Sequence, residues 1–275
     1  MDPILLFHSL IMGLVEGITE FLPISSTGHL ILTGDLLHFL DKEKRDVYEI
    51  FIQLGAMLAV VWEYRRKIGA TLAGAIRPGS ERNLLLGIVI AFIPAAIAGL
   101  LFSKQIKAVL FNPVCVAIAF IVGGLIILWA EKREHKIAVE TVDDLSLKDA
   151  LKVGLCQCLA LIPGTSRSGA TIIGGMFLGL SRKAATEFSF FLGIPTLGAA
   201  SLYSLLKHRD ALSGDDIGVF AVGFGASFIF AFLAIRALLR FISTHSFAVF
   251  AWYRIAFGLI VLASWQSGLV NWSAG

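Results

Sequence analysis

Two acidic residues stand four apart in the run Leu14-Val15-Glu16-Gly17-Ile18-Thr19-Glu20-Phe21, which on a helix puts both carboxylates on one face. Neighbouring carboxylates in apolar surroundings share a proton or bind a cation. Just downstream, Pro23 is followed by Ser25, Ser26, Thr27, Gly28 and His29, which reads as a hydroxyl-capped helix start. The stretch Pro163-Gly164-Thr165-Ser166-Arg167-Ser168-Gly169 has the same form. Two helix N-termini with clustered hydroxyls and one forked guanidinium describe an anion site suited to phosphate oxygens. Glu16 and Glu20 beside such a site would repel an anion unless a divalent cation, Mg²⁺ or Ca²⁺, bridges them, so both are candidate metal ligands. His29 lies within plausible reach of Ser26 or of a bound phosphate and can move a proton near neutral pH. Gln53 could line the same cavity, while Glu49, Glu187 and Arg254 are expected to pair with one another structurally.

These residues need a scaffold, and composition says what kind. Apolar residues make up 57% of the 275-residue chain and charged residues only 16%, where about 25% is usual for soluble domains. With mean hydropathy of +0.82, the chain must use lipid as solvent and pack helices side by side in a bilayer. A net charge of +3, dispersed along the chain, gives no basis for a nucleic-acid partner. Cys115, Cys156 and Cys158 all sit in apolar segments and read as packing residues.

Uninterrupted apolar runs fall at about 47 to 64, 84 to 102, 113 to 130, 184 to 206, 216 to 235 and 246 to 266, predicting six spanning helices. Two further stretches, 4–38 and 148–180, are broken midway by the two hydroxyl-rich motifs, and each reads as a re-entrant pair. Aligned on their breaks, Gly13, Leu14, Glu16, Ser25 and Gly28 fall on Gly154, Leu155, Gln157, Ser166 and Gly169. The expected architecture is therefore a single all-α polytopic membrane domain over residues 1–275, with repeat one at about 1–135 and repeat two at about 148–270. Three crossings per repeat turn the second copy upside down. Connectors on one side, among them Arg65, Arg66, Lys67, Arg182 and Lys183, hold twice as many basic residues as those on the other, such as Lys42 and Lys44. The positive-inside rule puts the richer side in the cytoplasm. The acid-bearing pair then enters from the outer face, and the two tips should meet near the midplane.

The stretches Glu16-Gly17-Ile18-Thr19-Glu20-Phe21-Leu22-Pro23-Ile24-Ser25-Ser26-Thr27-Gly28-His29 and Pro163-Gly164-Thr165-Ser166-Arg167-Ser168-Gly169-Ala170-Thr171 resemble those of the BacA-type undecaprenyl-diphosphate phosphatases. The likeness extends over the whole chain, including Ile52-Gln53-Leu54-Gly55 and Glu187-Phe188-Ser189-Phe190. It implies a bacterial inner-membrane enzyme that hydrolyses undecaprenyl diphosphate to the monophosphate and inorganic phosphate, depends on a divalent cation, and protects against bacitracin. It also implies catalytic roles for Glu16, Glu20, His29 and Arg167, with Ser25, Ser26, Thr27, Ser166 and Ser168 lining the phosphate site, which Thr165 would extend. The nucleophile is either Ser26 activated through His29 or a water held by Glu20 and His29. A cavity opening to the outer side, a tail in a lipid-facing groove and a homodimer are compatible with this reading. The main rival is a lipid-phosphate transporter or flippase, since inverted repeats with broken helices also build transporters. A histidine and paired acids beside the anion site favour chemistry.

Overall fold

In the computed structural model, which describes residues 2–134, 136–207 and 216–270, the chain is a bundle of helices with no strand among the described residues. The first broken stretch is α1 (Pro3–Thr19) and α2 (Ser26–Leu36). α3 (Lys42–Glu63) and α4 (Arg65–Ala73) follow, then α5 (Ser80–Leu110) and α6 (Pro113–Lys132). The second broken stretch is α7 (Leu147–Gln157), a 3-10 turn (Cys158–Leu161) and α8 (Arg167–Phe177), followed by α9 (Arg182–Lys207), α10 (Ile217–Ile242) and α11 (Ala248–Gln266).

Starts and stops follow local chemistry. Asp2, with Pro3 behind it, accepts from the Ile4 amide at 2.9 Å. Asn112, before Pro113, accepts from the Cys115 amide at 2.9 Å, and Ser146 accepts from the Asp149 amide at 3.2 Å. Five helices, α5, α6, α9, α10 and α11, are long and apolar enough to cross a bilayer. α3 becomes the sixth crossing only together with α4, from which it is bent by 74° at Tyr64. The chain is thus a polytopic all-α membrane protein with five to six crossings.

Packing partners come in exchanged pairs. α1 lies along α10 as α7 lies along α5; α3 meets α10 as α9 meets α5; α3 and α9 pack together, as do α6 and α11. The close approaches are made by glycines on the inserted helices. A Cβ at Gly13 would lie 2.3 Å from the Gly223 carbonyl oxygen of α10, and one at Gly154 would lie 2.3 Å from the Ala91 carbonyl oxygen of α5. Gly17 faces the Ser227 oxygen at 2.6 Å in the same way. With α1 and α7 drawn in so tightly, the two breaks face each other inside the bundle.

Candidate active site

Each break is built by residues that cannot continue a helix. α1 ends at Thr19, and Glu20 keeps helical geometry, its amide donating to the Glu16 carbonyl at 2.9 Å. Pro23 then ends the run, and the chain reverses through Ser25 at φ +66°. In the second break, Pro163 and Gly164 (φ +87°) lead to Ser166 at φ +75°. Positive φ on a non-glycine residue costs on the order of 1–3 kcal/mol and persists only where surrounding contacts enforce it. Both tips carry this strain at the position preceding the next helix.

The tips are clamped to each other. The Ser168 hydroxyl lies 2.8 Å from the Leu22 carbonyl oxygen and 3.2 Å from that of Glu20. Arg167 donates through Nε and Nη2 to Glu20 Oε1 at 3.2 and 3.1 Å, and through Nη1 to the Ser189 carbonyl at 2.9 Å. The Ser26 hydroxyl donates to the other oxygen, Glu20 Oε2, at 2.8 Å. One carboxylate therefore joins a guanidinium from the second tip to a hydroxyl from the first. A polar cavity of about 130 Å³ opens on this group, lined by Glu20, Ser25, Ser26, Thr27, Gln53, Ser166 and Arg167 together with Ala160, Ile162, Pro163, Gly164 and Leu197. An apolar groove of about 490 Å³ runs nearby, its wall including Ile18 and Leu22 on either side of Glu20 in sequence, with Phe230, Leu233 and Phe250 opposite.

Of the residues singled out in the sequence, Glu20, Ser25, Ser26, Thr27, Gln53, Ser166 and Arg167 come together at the cavity, whereas Glu16, His29, Thr165 and Ser168 do not line it. Ser168 serves as the tip clamp just described, and Thr165 contributes its carbonyl to Arg254. Glu16 is fully buried behind Glu20, and neither of its carboxylate oxygens has a hydrogen-bond partner. No three His, Cys, Asp or Glu side chains converge as a metal-binding group among the described residues.

Three expectations are corrected by the geometry. Ser25 does not cap α2 through its side chain; both tips turn through positive φ, but only the second keeps a hydroxyl cap, Ser166 Oγ accepting from the Gly169 amide at 3.0 Å. The His29 ring hydrogen-bonds to Ser25 and Tyr253 and not to Ser26. Its Nδ1 donates to the Ser25 carbonyl at 2.7 Å, and in the neutral ring Nε2 then accepts from the Tyr253 hydroxyl at 2.7 Å. The ring is stacked between Tyr253 and Phe257, with centroids 5.6 and 4.0 Å away. Arg254 pairs with neither Glu49 nor Glu187. All five of its N–H groups go to backbone carbonyls, those of Phe120 and Ala119 on α6, Pro23 at the first tip, and Gly164 and Thr165 at the second, at 2.9 to 3.2 Å. Glu187 instead accepts from the Tyr64 hydroxyl at 3.3 Å. A lone arginine in the apolar run of α11 was visible in the sequence, but carbonyl partners leave no residue-type signature. Tyr253, the histidine's partner, gave no signal at all.

The structure is thus a bundle of apolar, membrane-length helices in which two inserted, strained tips bring a carboxylate, a guanidinium and clustered hydroxyls to one polar cavity. The chain belongs to the family described as Bacitracin resistance protein BacA, which matches residues 9–260. It is 94% identical to Undecaprenyl-diphosphatase 1 of Chromobacterium violaceum, over 98% of this chain and the whole of that protein. It is 64% identical to Undecaprenyl-diphosphatase 2 of Rhodospirillum rubrum, over the full length of both, and 61% identical to the undecaprenyl-diphosphatase of Cellvibrio japonicus, over 99% of this chain and all of that protein.

Proposed function

We propose that this chain hydrolyses undecaprenyl diphosphate to undecaprenyl phosphate and inorganic phosphate, renewing the lipid carrier of cell-wall synthesis and removing the diphosphate that bacitracin sequesters. It is a phosphatase rather than a lipid transporter. The relatives' common name and the family match support this, and the observation that carries it in the structure is the Ser26–Glu20–Arg167 chain of hydrogen bonds at the floor of a polar cavity. A carrier needs to grip an anion; it does not need a hydroxyl hydrogen-bonded to an oriented carboxylate.

In the mechanism we propose, Arg167 and the backbone at the start of α8 hold the diphosphate and offset charge on the transferring phosphoryl oxygens. Ser26 Oγ attacks the terminal phosphorus in line; the bridging P–O bond breaks and undecaprenyl phosphate leaves, after which water hydrolyses the Ser26 phosphate to inorganic phosphate and the hydroxyl is restored. Glu20 takes the Ser26 proton during the attack. The 2.8 Å Ser26–Glu20 contact supports that direction, and the Arg167 bond to the opposite oxygen fixes the carboxylate's orientation. A water held by Glu20 is the alternative nucleophile. His29, with both ring nitrogens engaged, orients Ser25 instead of accepting this proton. A divalent cation, Mg²⁺ or Ca²⁺, would be held by two carboxylates, Glu16, whose oxygens have no hydrogen-bond partner, and Glu20. When bound, such an ion supplies Lewis-acid stabilisation of the phosphoryl group. The prenyl tail would lie along the lipid-facing groove beside Ile18 and Leu22. The inner membrane as location, and a cavity reached from its outer side, complete the proposal.

The test is phosphate release from polyprenyl diphosphate by purified protein in detergent, with and without chelator. Glu20→Gln and Arg167→Ala are expected to lose at least about 100-fold in kcat/KM, and His29→Ala less than Glu20→Gln. A phosphoserine trapped at Ser26 supports its attack, whereas near-normal turnover by Ser26→Ala assigns the attack to water. Wild-type protein that releases no phosphate overturns the proposal.

A further inference from the structure

We infer that Arg254 is a positioning residue for the hydrolysis: it fixes the backbone of both tips so that the peptide joining Thr165 to Ser166 presents its N–H to the diphosphate. The inference rests on the phosphatase reading above.

Arg254 is 1% exposed, and no carboxylate pairs with it among the described residues. A guanidinium in that setting is costly unless every donor is satisfied, and here the donors are matched one for one by carbonyls. Three of these belong to the tips. The Pro23–Ile24 peptide is held at both ends, its carbonyl by Arg254 and its N–H by the Leu22 carbonyl at 2.7 Å. The Gly164–Thr165 peptide is held likewise, by Arg254 and by the Ile162 carbonyl at 3.1 Å. These two peptides lie just before the strained residues Ser25 and Ser166. The third is the Thr165–Ser166 peptide itself. All described peptide bonds are trans, so a carbonyl turned toward Arg254 directs the N–H of Ser166 the opposite way, and Ser166 lines the cavity. A backbone N–H aimed where phosphoryl charge develops is a donor of the kind that stabilises transition states.

Charge supports the same assignment. Arg167 shares its charge with the Glu20 carboxylate, while Arg254 is joined to the tips only through carbonyls. Its positive charge therefore lies behind the tips in low-dielectric surroundings and favours an anion in front of them. Lysine could not substitute, since an ammonium has three donors for five acceptors. Room for the fork comes from Gly123, where a Cβ would lie 2.2 Å from Arg254 Nη2 and 2.7 Å from Cζ.

Arg254→Lys and Gly123→Ala are purified beside wild type, and thermal unfolding, phosphate-release kinetics and inhibition by inorganic phosphate are measured on each. Folded Arg254→Lys is expected to lose about 100-fold in kcat/KM and to need about tenfold more inorganic phosphate for half inhibition, with Gly123→Ala displaced the same way by a smaller factor. A purely structural role would lower the maximal rate in step with the folded fraction and leave KM and phosphate inhibition unchanged, and that result overturns the inference. If Arg254→Lys is not recovered folded, Gly123→Ala decides by the same two constants. Absence of turnover in the wild type would instead sink the phosphatase reading, which separates the two failures.

Discussion

Glu20 is held at both oxygens, by Arg167 at one and by Ser26 at the other, so the site depends on where the Arg167 fork sits as much as on the acid itself. That fork passes over Gly193 of α9, where a Cβ would lie 2.9 Å from Nη1 and 3.1 Å from Cζ. In Gly193→Ala the methyl displaces the guanidinium by a few tenths of an ångström or more, while alanine in a helix interior is favoured over glycine by about 1 kcal/mol. Stability and activity should therefore move apart. Phosphate release is expected to fall about tenfold or more, since small misplacements of positioning groups cost that much, with a thermal midpoint no lower than wild type. Unchanged turnover in a folded Gly193→Ala protein would mean that the fork's position does not govern the reaction.

At the scale of elements, the tips are held in the bundle by two helices that insert through glycine contacts, α1 against α10 and α7 against α5. Gly17→Ala sets a methyl against the Ser227 carbonyl at 2.6 Å, and Gly154→Ala sets one against the Ala91 carbonyl at 2.3 Å. Backbone atoms yield less readily than side-chain ends, so each substitution is expected to destabilise by about 1–3 kcal/mol. Thermal unfolding in detergent checks this, and an unchanged midpoint for both would show that the close approach is slack. The helices themselves were legible in the sequence because a bilayer demands long apolar runs, and the two breaks because proline, glycine and clustered hydroxyls interrupt such runs. The 74° bend between α3 and α4 was not, since Tyr64 and Arg65 form no breaker motif. Nor were the partners of His29 and Arg254 legible. Tyr253 is 224 positions from the histidine, and the arginine's acceptors are backbone oxygens that every residue carries.

For the molecule as a whole, the exchange of partners between α1·α10 and α7·α5, and between α3·α10 and α9·α5, matches what a tandem duplication would leave behind. The glycines at the two close approaches, Gly13 and Gly154, also align with each other in sequence. An odd number of crossings between the copies then requires equivalent helices to begin on opposite faces of the membrane. Glu43 at the start of α3 and Lys183 at the start of α9 occupy matching places in the two copies, and both are exposed. In the proposed orientation Lys183 lies in the cytoplasm and Glu43 outside. In a background with Cys115, Cys156 and Cys158 replaced, Glu43→Cys is expected to react with a membrane-impermeant maleimide in intact cells, while Lys183→Cys reacts only after lysis. Equal labelling of the two positions would remove the inversion. Reversed labelling would keep the inversion but turn the molecule over, moving the mouth of the cavity, and the supply of diphosphate it draws on, to the opposite leaflet.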